Sequence, residues 1–400
     1  MKEARTLVEF YDREPLENIM SLLGGGYDRV VFVSFAGDGA PDGEERRTLF
    51  RWVRKRTGAS CRFLTVQERT IAAGLAVLRE LLAESGALDI DITGGSTVFV
   101  AAAGALQAEA GEDRVTVREY APNTGVCCYP SGQAGTAGSL KMEELLELRG
   151  IALLSGGPPI RYDLNKNRLQ EDLLRLWEAA RGSLRAWNSF CATASEFCRE
   201  GGGMRMERQM SQRELEACVP VLERLEKAGI LHERRERREH GRLYLSGWLD
   251  IGHRNAFLYE KAGNLLELVM YRAAWESGLV TDCCTGVRLD WDGEIRRGGN
   301  TNNEIDLVLM RGHLPCFVSC KNTNVTKEYL YEITVMARHF GGRYAVPMVF
   351  SSMRTGDAVR IRAEEMGVVL LDNLGRLSGD GTVNALRRLD QKIIECACRR

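Results

Sequence analysis

Residues 28–35 read DRVVFVSF, a run of β-branched and aromatic residues with no polar alternation. A strand covered by helices on both faces reads this way, because neither face meets water. Working outward, residues 42–57 are amphipathic, 61–66 apolar, 70–84 helical in spacing, and 88–93 form another short strand. Strand and helix in alternation predict a doubly wound α/β sheet, with ligands in the crevice at the carboxyl ends of its strands. A further strand over 114–120 and a Gly- and Ser-rich loop over 130–139 close a first domain, residues 1–150.

Residues 155–160, SGGPPI, have the composition of a linker. Beyond it, 169–180 and 184–199 read as helices. Ser211 with Glu214 reads as a capping box, and Pro220 starts or kinks a helix that Gly229 stops. Residues 230–237 and 242–246 flank a Glu239-His240-Gly241 turn and read as a hairpin. Helices followed by such a wing predict a winged-helix-like connector over 151–254. A second α/β domain follows over 255–400, with a helix at 262–276, strands at 282–290, 303–310 and 315–320, a helix at 326–340, a strand at 344–350, a helix at 357–366, a strand at 368–371 and a closing helix at 383–396.

A length of 400 residues leaves room for these three units, and 44% hydrophobic with 27% charged residues excludes wholesale disorder. The longest apolar runs, 30–36 and 98–106, fall short of the roughly 20 residues a membrane span needs, so no membrane is expected. The opening MKEARTLVEF has no apolar core of a secretory signal, which points to the cytoplasm. Twelve cysteines make no C-x-x-C pair and read as reduced thiols, and the five histidines form no zinc pattern. Residues 1–150 carry 17 Lys+Arg against 22 Asp+Glu, leaving 37 against 33 for the rest; neither part can hold a polyanion by net charge alone.

Local sites must then do so. Ser34-Phe35-Ala36-Gly37-Asp38-Gly39 follows the first strand and Thr93-Gly94-Gly95-Ser96-Thr97 a later one. Glycines at strand ends let backbone N–H groups face a phosphate, and the hydroxyls add neutral donors. Ser34, Phe35, Ala36, Gly37, Asp38, Thr93, Gly94, Gly95, Ser96 and Thr97 are therefore the expected ligand-binding residues. The dinucleotide fingerprint G-x-G-x-x-G fails, because Asp42 stands where its last glycine should be.

The third unit carries a different chemistry. In Asn303-Glu304-Ile305-Asp306 the two acids are two apart on a strand and share a face, as do Ser319 and Lys321 on the next strand. Paired, they make a carboxylate and lysine cluster suited to Mg²⁺ or Mn²⁺ and to stabilising phosphoryl charge. The plainer alternative is a surface ion pair between Glu304 and Lys321. Arg234, Arg235, Arg237 and Arg238 in the wing alternate with Glu233, Glu236 and Glu239 and read as a solvated face. Trp248, Tyr259 and Trp275 read as core more readily than as base-stacking platforms.

V-F-V-S-F with D-I-T-G-G-S-T resembles a CARF domain, the Rossmann-like sensor of cyclic oligoadenylates in CRISPR systems. G-N-L-L-E, N-E-I-D and F-V-S-C-K-N resemble the PD-(D/E)XK nuclease fused to it in type III systems. The resemblance implies a homodimer that binds a cyclic oligoadenylate, tetra-adenylate in first place, and so activates a metal-dependent nuclease acting on DNA, RNA or both, single strands foremost. It assigns Asp306 as a metal ligand, Lys321 as the motif lysine and Glu267 as the leading acid. The sequence departs from the motif at Ser319, where an acid is expected. Either Glu304 or Glu332, on the following helix, supplies the missing carboxylate, or activity is weak. A non-enzymatic regulator that binds DNA through the wing is the rival, and it leaves N-E-I-D and S-C-K unexplained.

Overall fold

The computed structural model describes residues 5–38, 41–129, 134–154, 159–194, 198–200, 203–291 and 302–398, in a mixed α/β chain with three separate sheets. The first has the order β3-β2-β1-β4-β5-β6-β7, with β1 Thr6–Phe10, β2 Arg29–Phe35, β3 Ser60–Val66, β4 Leu88–Asp91, β5 Val115–Ala121, β6 Val126–Cys128 and β7 Ala134–Thr136. Strands β1 to β5 pair in parallel, and β6 and β7 extend the sheet antiparallel. Strand order reverses between β1 and β4, which opens the crevice at their carboxyl ends.

Strand β1, the middle of the five parallel strands, was not anticipated. All five residues are buried, but two of them, Thr6 and Glu9, are polar, and that hid the strand from an apolar-run reading. The helix that follows the 93–97 loop is Thr97–Ala110, covering the apolar run 98–106; it starts at Ser96, whose hydroxyl accepts from the Val98 N–H. Strand β7 lies inside the stretch taken as a closing loop, of which residues 130–133 are outside the described set.

The second sheet, ordered β10-β11-β9-β8, corrects the two-stranded wing. It consists of β8 Cys198–Glu200, β9 Gly203–Met210, β10 Leu231–Glu239 and β11 Arg242–Leu249, all antiparallel neighbours. The expected hairpin is its β10–β11 pair, turned by His240 and Gly241 at φ 49° and 76°, as a two-residue type I′ loop requires. Strand β9 escaped notice although Met206 and Met210 turn inward with alternating polar residues between them. The helix expected over 184–199 ends at Ala194, and Cys198 already belongs to β8. One helix, Gln212–Lys227, begins at the Ser211 and Glu214 capping box and runs through Pro220, so Pro220 does not start it.

The third sheet is ordered β12-β13-β14-β15-β16: β12 Asp282–Asp290, β13 Asn302–Arg311, β14 Leu314–Lys321, β15 Val346–Ser351 and β16 Val369–Leu371. Helix Ala262–Ser277 packs in the apolar cluster on one face and helix Lys327–Gly341 in the cluster on the other. The second of these clusters continues into the first sheet, joining Leu7 and Phe32 to Phe317 and Ile333. Of the expected linker, 155–158 lie outside the described residues; its flanks, Leu153 and Ile160, bridge to Leu289 and Thr285 of β12 and so cover that sheet edge. The closing helix is two helices, Gly379–Arg387 and Asp390–Cys398, restarting where Asp390 pairs with Arg311. Among the described residues, no helix is long and apolar enough to cross a membrane.

Candidate functional site

Loops from four strands of the first sheet converge on a pocket of about 280 Å³. Tyr11, Asp12 and Arg13 come from the end of β1, Ser34, Phe35 and Asp38 from β2, Arg69 from beyond β3, and Gly95, Ser96 and Phe99 from beyond β4. Its floor is apolar: the rings of Phe35 and Phe99 stack with centroids 3.9 Å apart, and Phe10 stacks on Phe99 at 4.8 Å. The rim is charged. Arg69 pairs with Asp38 at 3.1 Å and reaches the Ser96 hydroxyl at 3.3 Å, so it spans two of the contributing loops, and Arg13 is exposed beside them. Two arginines, a helix N-terminus at Ser96 and aromatic rings suit an anionic ligand with bases attached.

Several expected roles change on this geometry. Ser34 is buried and its hydroxyl lines the pocket without a hydrogen-bond partner. Thr93 faces inward: its N–H and hydroxyl both go to the buried Asp91 carboxylate, and its oxygen accepts from the Tyr120 N–H at 2.8 Å. Gly95 has φ +80°, and a Cβ there would lie 2.5 Å from the Cβ of Phe10, so glycine is required by packing against β1 as much as by ligand access. Gly94 and Thr97 flank the pocket, as do Ala36 and Gly37 in the other loop; Gly39 lies outside the described residues. Tyr11, Arg13, Arg69 and Phe99 were missed. The charged pair on the rim comes from segments that no local motif marks.

The second constellation lies in the third sheet. Asp306 of β13 accepts from the Cys320 N–H at 2.7 Å and from the Ser319 hydroxyl at 3.4 Å, continuing the β13–β14 pairing past its last ladder pair, Leu307 with Val318. Glu267, on helix Ala262–Ser277, faces the same place. Burial first, then the charges of Asp306 and Glu304, push its carboxyl up to about 7. Burial also raises Asp306, against the opposing pull of Lys321. The Lys321 ammonium sits 4.7 Å over the ring of Tyr329. The structure thus brings Glu267, Asp306 and Lys321 together.

It treats the other candidates differently. Ile305 and Val308 pack in one apolar cluster while Leu307 packs in the other, so the period of two is interrupted at Asp306, opposite Gly286 with φ +59°. Strand parity alone therefore does not place Glu304 beside Asp306. Glu304 is exposed and lies 3.6 Å from Arg288 across the strands, yet near enough to raise both other acids. Glu332 is exposed on helix Lys327–Gly341, whose buried stripe is Leu330, Ile333, Met336, Ala337 and Phe340; this places Glu332 toward solvent. Among the described residues, no three His, Cys, Asp or Glu side chains form a ready-made metal cage.

The wing face is ion-paired: Arg234 holds Glu226 and Glu236, and Arg237 holds Glu207 and Glu239. Tyr259 is buried core, while Trp248 is partly exposed and Trp275 is 39% exposed against Tyr271.

No family model matches the chain, and no curated protein matches it. Among solved structures, protein VC1899 from Vibrio cholerae superposes with a TM-score of 0.69 over 98% of this chain and 98% of that one, at 16% identity. Can2 from Sulfobacillus thermosulfidooxidans, solved in complex with cyclic tetra-adenylate, superposes with a TM-score of 0.63 over 96% of this chain and 98% of that one, at 13% identity. At such identities the likeness is one of fold, and it runs through all three sheets.

Proposed function

We propose that this protein is a nuclease switched on by a cyclic oligoadenylate, acting in type III CRISPR defence. The observation that carries the reading is that one chain holds two separate sites: a crevice suited to an anion with bases, and a half-buried cluster of two acids and a lysine. Residues 1–150 are the CARF sensor, 151–254 a connector and 255–400 a PD-(D/E)XK nuclease domain, working as a homodimer. Likeness of fold to a protein that binds cyclic tetra-adenylate favours that ring as the activator.

In the sensor, Arg13 and Arg69 take phosphates, and the Phe35 and Phe99 rings give the bases an apolar floor. The Arg69 pair with Asp38 must open or swing as the ring enters. In the nuclease domain, Glu267 and Asp306 would hold Mg²⁺ or Mn²⁺. The fit rests on the donor set: two carboxylates close enough that the charge of Asp306 raises Glu267, which matches a cation that keeps most of its water and takes one or two protein oxygens. When bound, such a cation supplies positive charge where phosphoryl oxygens gain negative charge. Lys321 does the same from the protein side, held by Tyr329. The Cys320 N–H fixes one Asp306 oxygen and leaves the other free to face the substrate. Ser319 donates only a long hydrogen bond to Asp306, so it supports that carboxylate rather than replacing the motif acid.

The test is cleavage of labelled single-stranded DNA and RNA in Mn²⁺, with and without cyclic tetra-adenylate. Stimulated cleavage is expected. Ring-independent cleavage defeats the switch, and ring binding without cleavage of either substrate favours the DNA-binding regulator.

A further inference from the structure

Between the first and third sheets lies a seam of buried charge. The chain leaving β1 passes from the pocket residues Tyr11 to Arg13 straight into Glu14 and the short helix Pro15–Asn18. Glu14 is 9% exposed and Glu17 2%. Arg149, from the end of the first unit, lies 3.3 Å from Glu14; across the seam, the Arg343 N–H donates to Glu14 at 3.1 Å, and the Arg343 guanidinium and the Tyr344 hydroxyl both donate to Glu17.

Each end of the seam is tied to a site. On the pocket side, Asp12 accepts from the Glu14 N–H at 2.8 Å, while its own N–H donates to Asn18 at 2.7 Å. The Gly94 that precedes the pocket's Gly95 lies so close that a Cβ there would sit 3.0 Å from that of Asp12 and 3.1 Å from that of Glu17. Two of the four pocket loops, those after β1 and β4, therefore rest on the carboxylate segment. On the far side, residues 342–344 join helix Lys327–Gly341 to β15. That helix carries Tyr329 under Lys321, and β15 pairs with β14 through Ser319 and Lys321. A 15-residue helix is a rod about 22 Å long.

The seam is closely packed at Gly342. Gly342 has φ +82°, and a Cβ there would collide with both the Arg149 guanidinium and the Glu14 carboxylate. The Glu14 and Glu17 carboxylates are buried while the Arg343 side chain is half exposed, so a displaced partner leaves a buried carboxylate uncompensated. Movement on one side must then be followed on the other or break the network.

Building on the ring-activated reading, we propose that Glu14 and Glu17, set against Arg149, Arg343 and Tyr344, are the mechanical link that transmits occupancy of the pocket to the helix and strand holding Lys321. The experiment uses the full chain, with cyclic tetra-adenylate as the probe and two readouts: hydrogen exchange over residues 327–351, which needs no substrate, and the ratio of cleavage with saturating ring to cleavage without. In the wild type the ring is expected to change exchange over 327–351. Glu17→Gln should lower the cleavage ratio about tenfold and Tyr344→Phe, which removes one hydroxyl from an otherwise intact seam, about threefold. Both should still bind the ring, melt cooperatively and lose most of the exchange response. Folded variants that keep the wild-type ratio and exchange response overturn the link. So does a wild type that binds the ring while exchange changes stop short of residue 327. A wild type that does not bind the ring overturns the functional reading itself and the link with it.

Discussion

The pocket of the first sheet and the carboxylate cluster of the third are built in opposite ways. The cluster is made mostly by side chains on adjacent strands, where Asp306 meets the backbone of Cys320 across one strand spacing, with Glu267 delivered by a helix packed on that sheet. The pocket is made by four loops whose contributing residues run from Tyr11 to Phe99 and which meet only because the strand order reverses at β1 and β4. Neighbours on paired strands can be anticipated from spacing. Convergent loops depend on the order of strands, which spacing does not carry.

The comparison breaks most sharply on Asp306→Asn, which is nearly isosteric and leaves the pocket untouched. Cleavage should fall by about 10³-fold or more, with cyclic tetra-adenylate affinity unchanged by calorimetry; a joint loss would mean that the two sites are not separable. Gly95→Ala probes the pocket's foundation. At φ +80° and with Phe10 in the way, it should destabilise the fold by about 2–4 kcal/mol in denaturant melts. A stable variant that merely loses affinity would return Gly95 to a ligand-contact role. A bulkier Gly95→Arg tests folding before it tests binding.

Glu267→Gln sharpens the electrostatic side. Because the folded carboxyl is raised to about 7 from an ordinary 4.5, the folded state favours its protonated form, and the wild type loses stability as pH rises from about 4.5 to 7. With chelator present, the variant should be more stable than the wild type at pH 8 by about 1–2 kcal/mol, allowing for solvent screening, and equal to it near pH 4. A difference that does not vary with pH would remove the electrostatic cause. The smallest effects separate the two substitutes for the missing acid: Glu304→Gln should slow cleavage by about 3- to 10-fold through its proximity to Asp306, and Glu332→Gln by less than about 2-fold from its solvent-facing position. A large loss at Glu332 would require helix Lys327–Gly341 to turn on activation.

Much of the fold was legible where one physical signal dominated. The apolar run of β2, the Ser211 and Glu214 capping box and the five strands of the third sheet, these last to within two residues at their ends, match the sequence reading. What escaped had conflicting signals. Strand β1 carries Glu9 inside a buried row, β9 alternates methionine with charge in a segment that reads as surface, and the closing helix is cut where Asp390 finds Arg311.

For the sites, local sequence singles out Asp306, Lys321 and the 93–97 loop as candidates, because glycines at strand ends and charges within apolar strands are unusual wherever the chain folds. Only the tertiary structure turned Thr93 inward to Asp91, set Glu332 toward solvent, interrupted the strand period opposite Gly286, and brought Arg13 and Arg69 to one rim. Those outcomes depend on strand order and on which helix face finds the core. Both are settled by contacts between residues far apart in the chain, which no local pattern encodes.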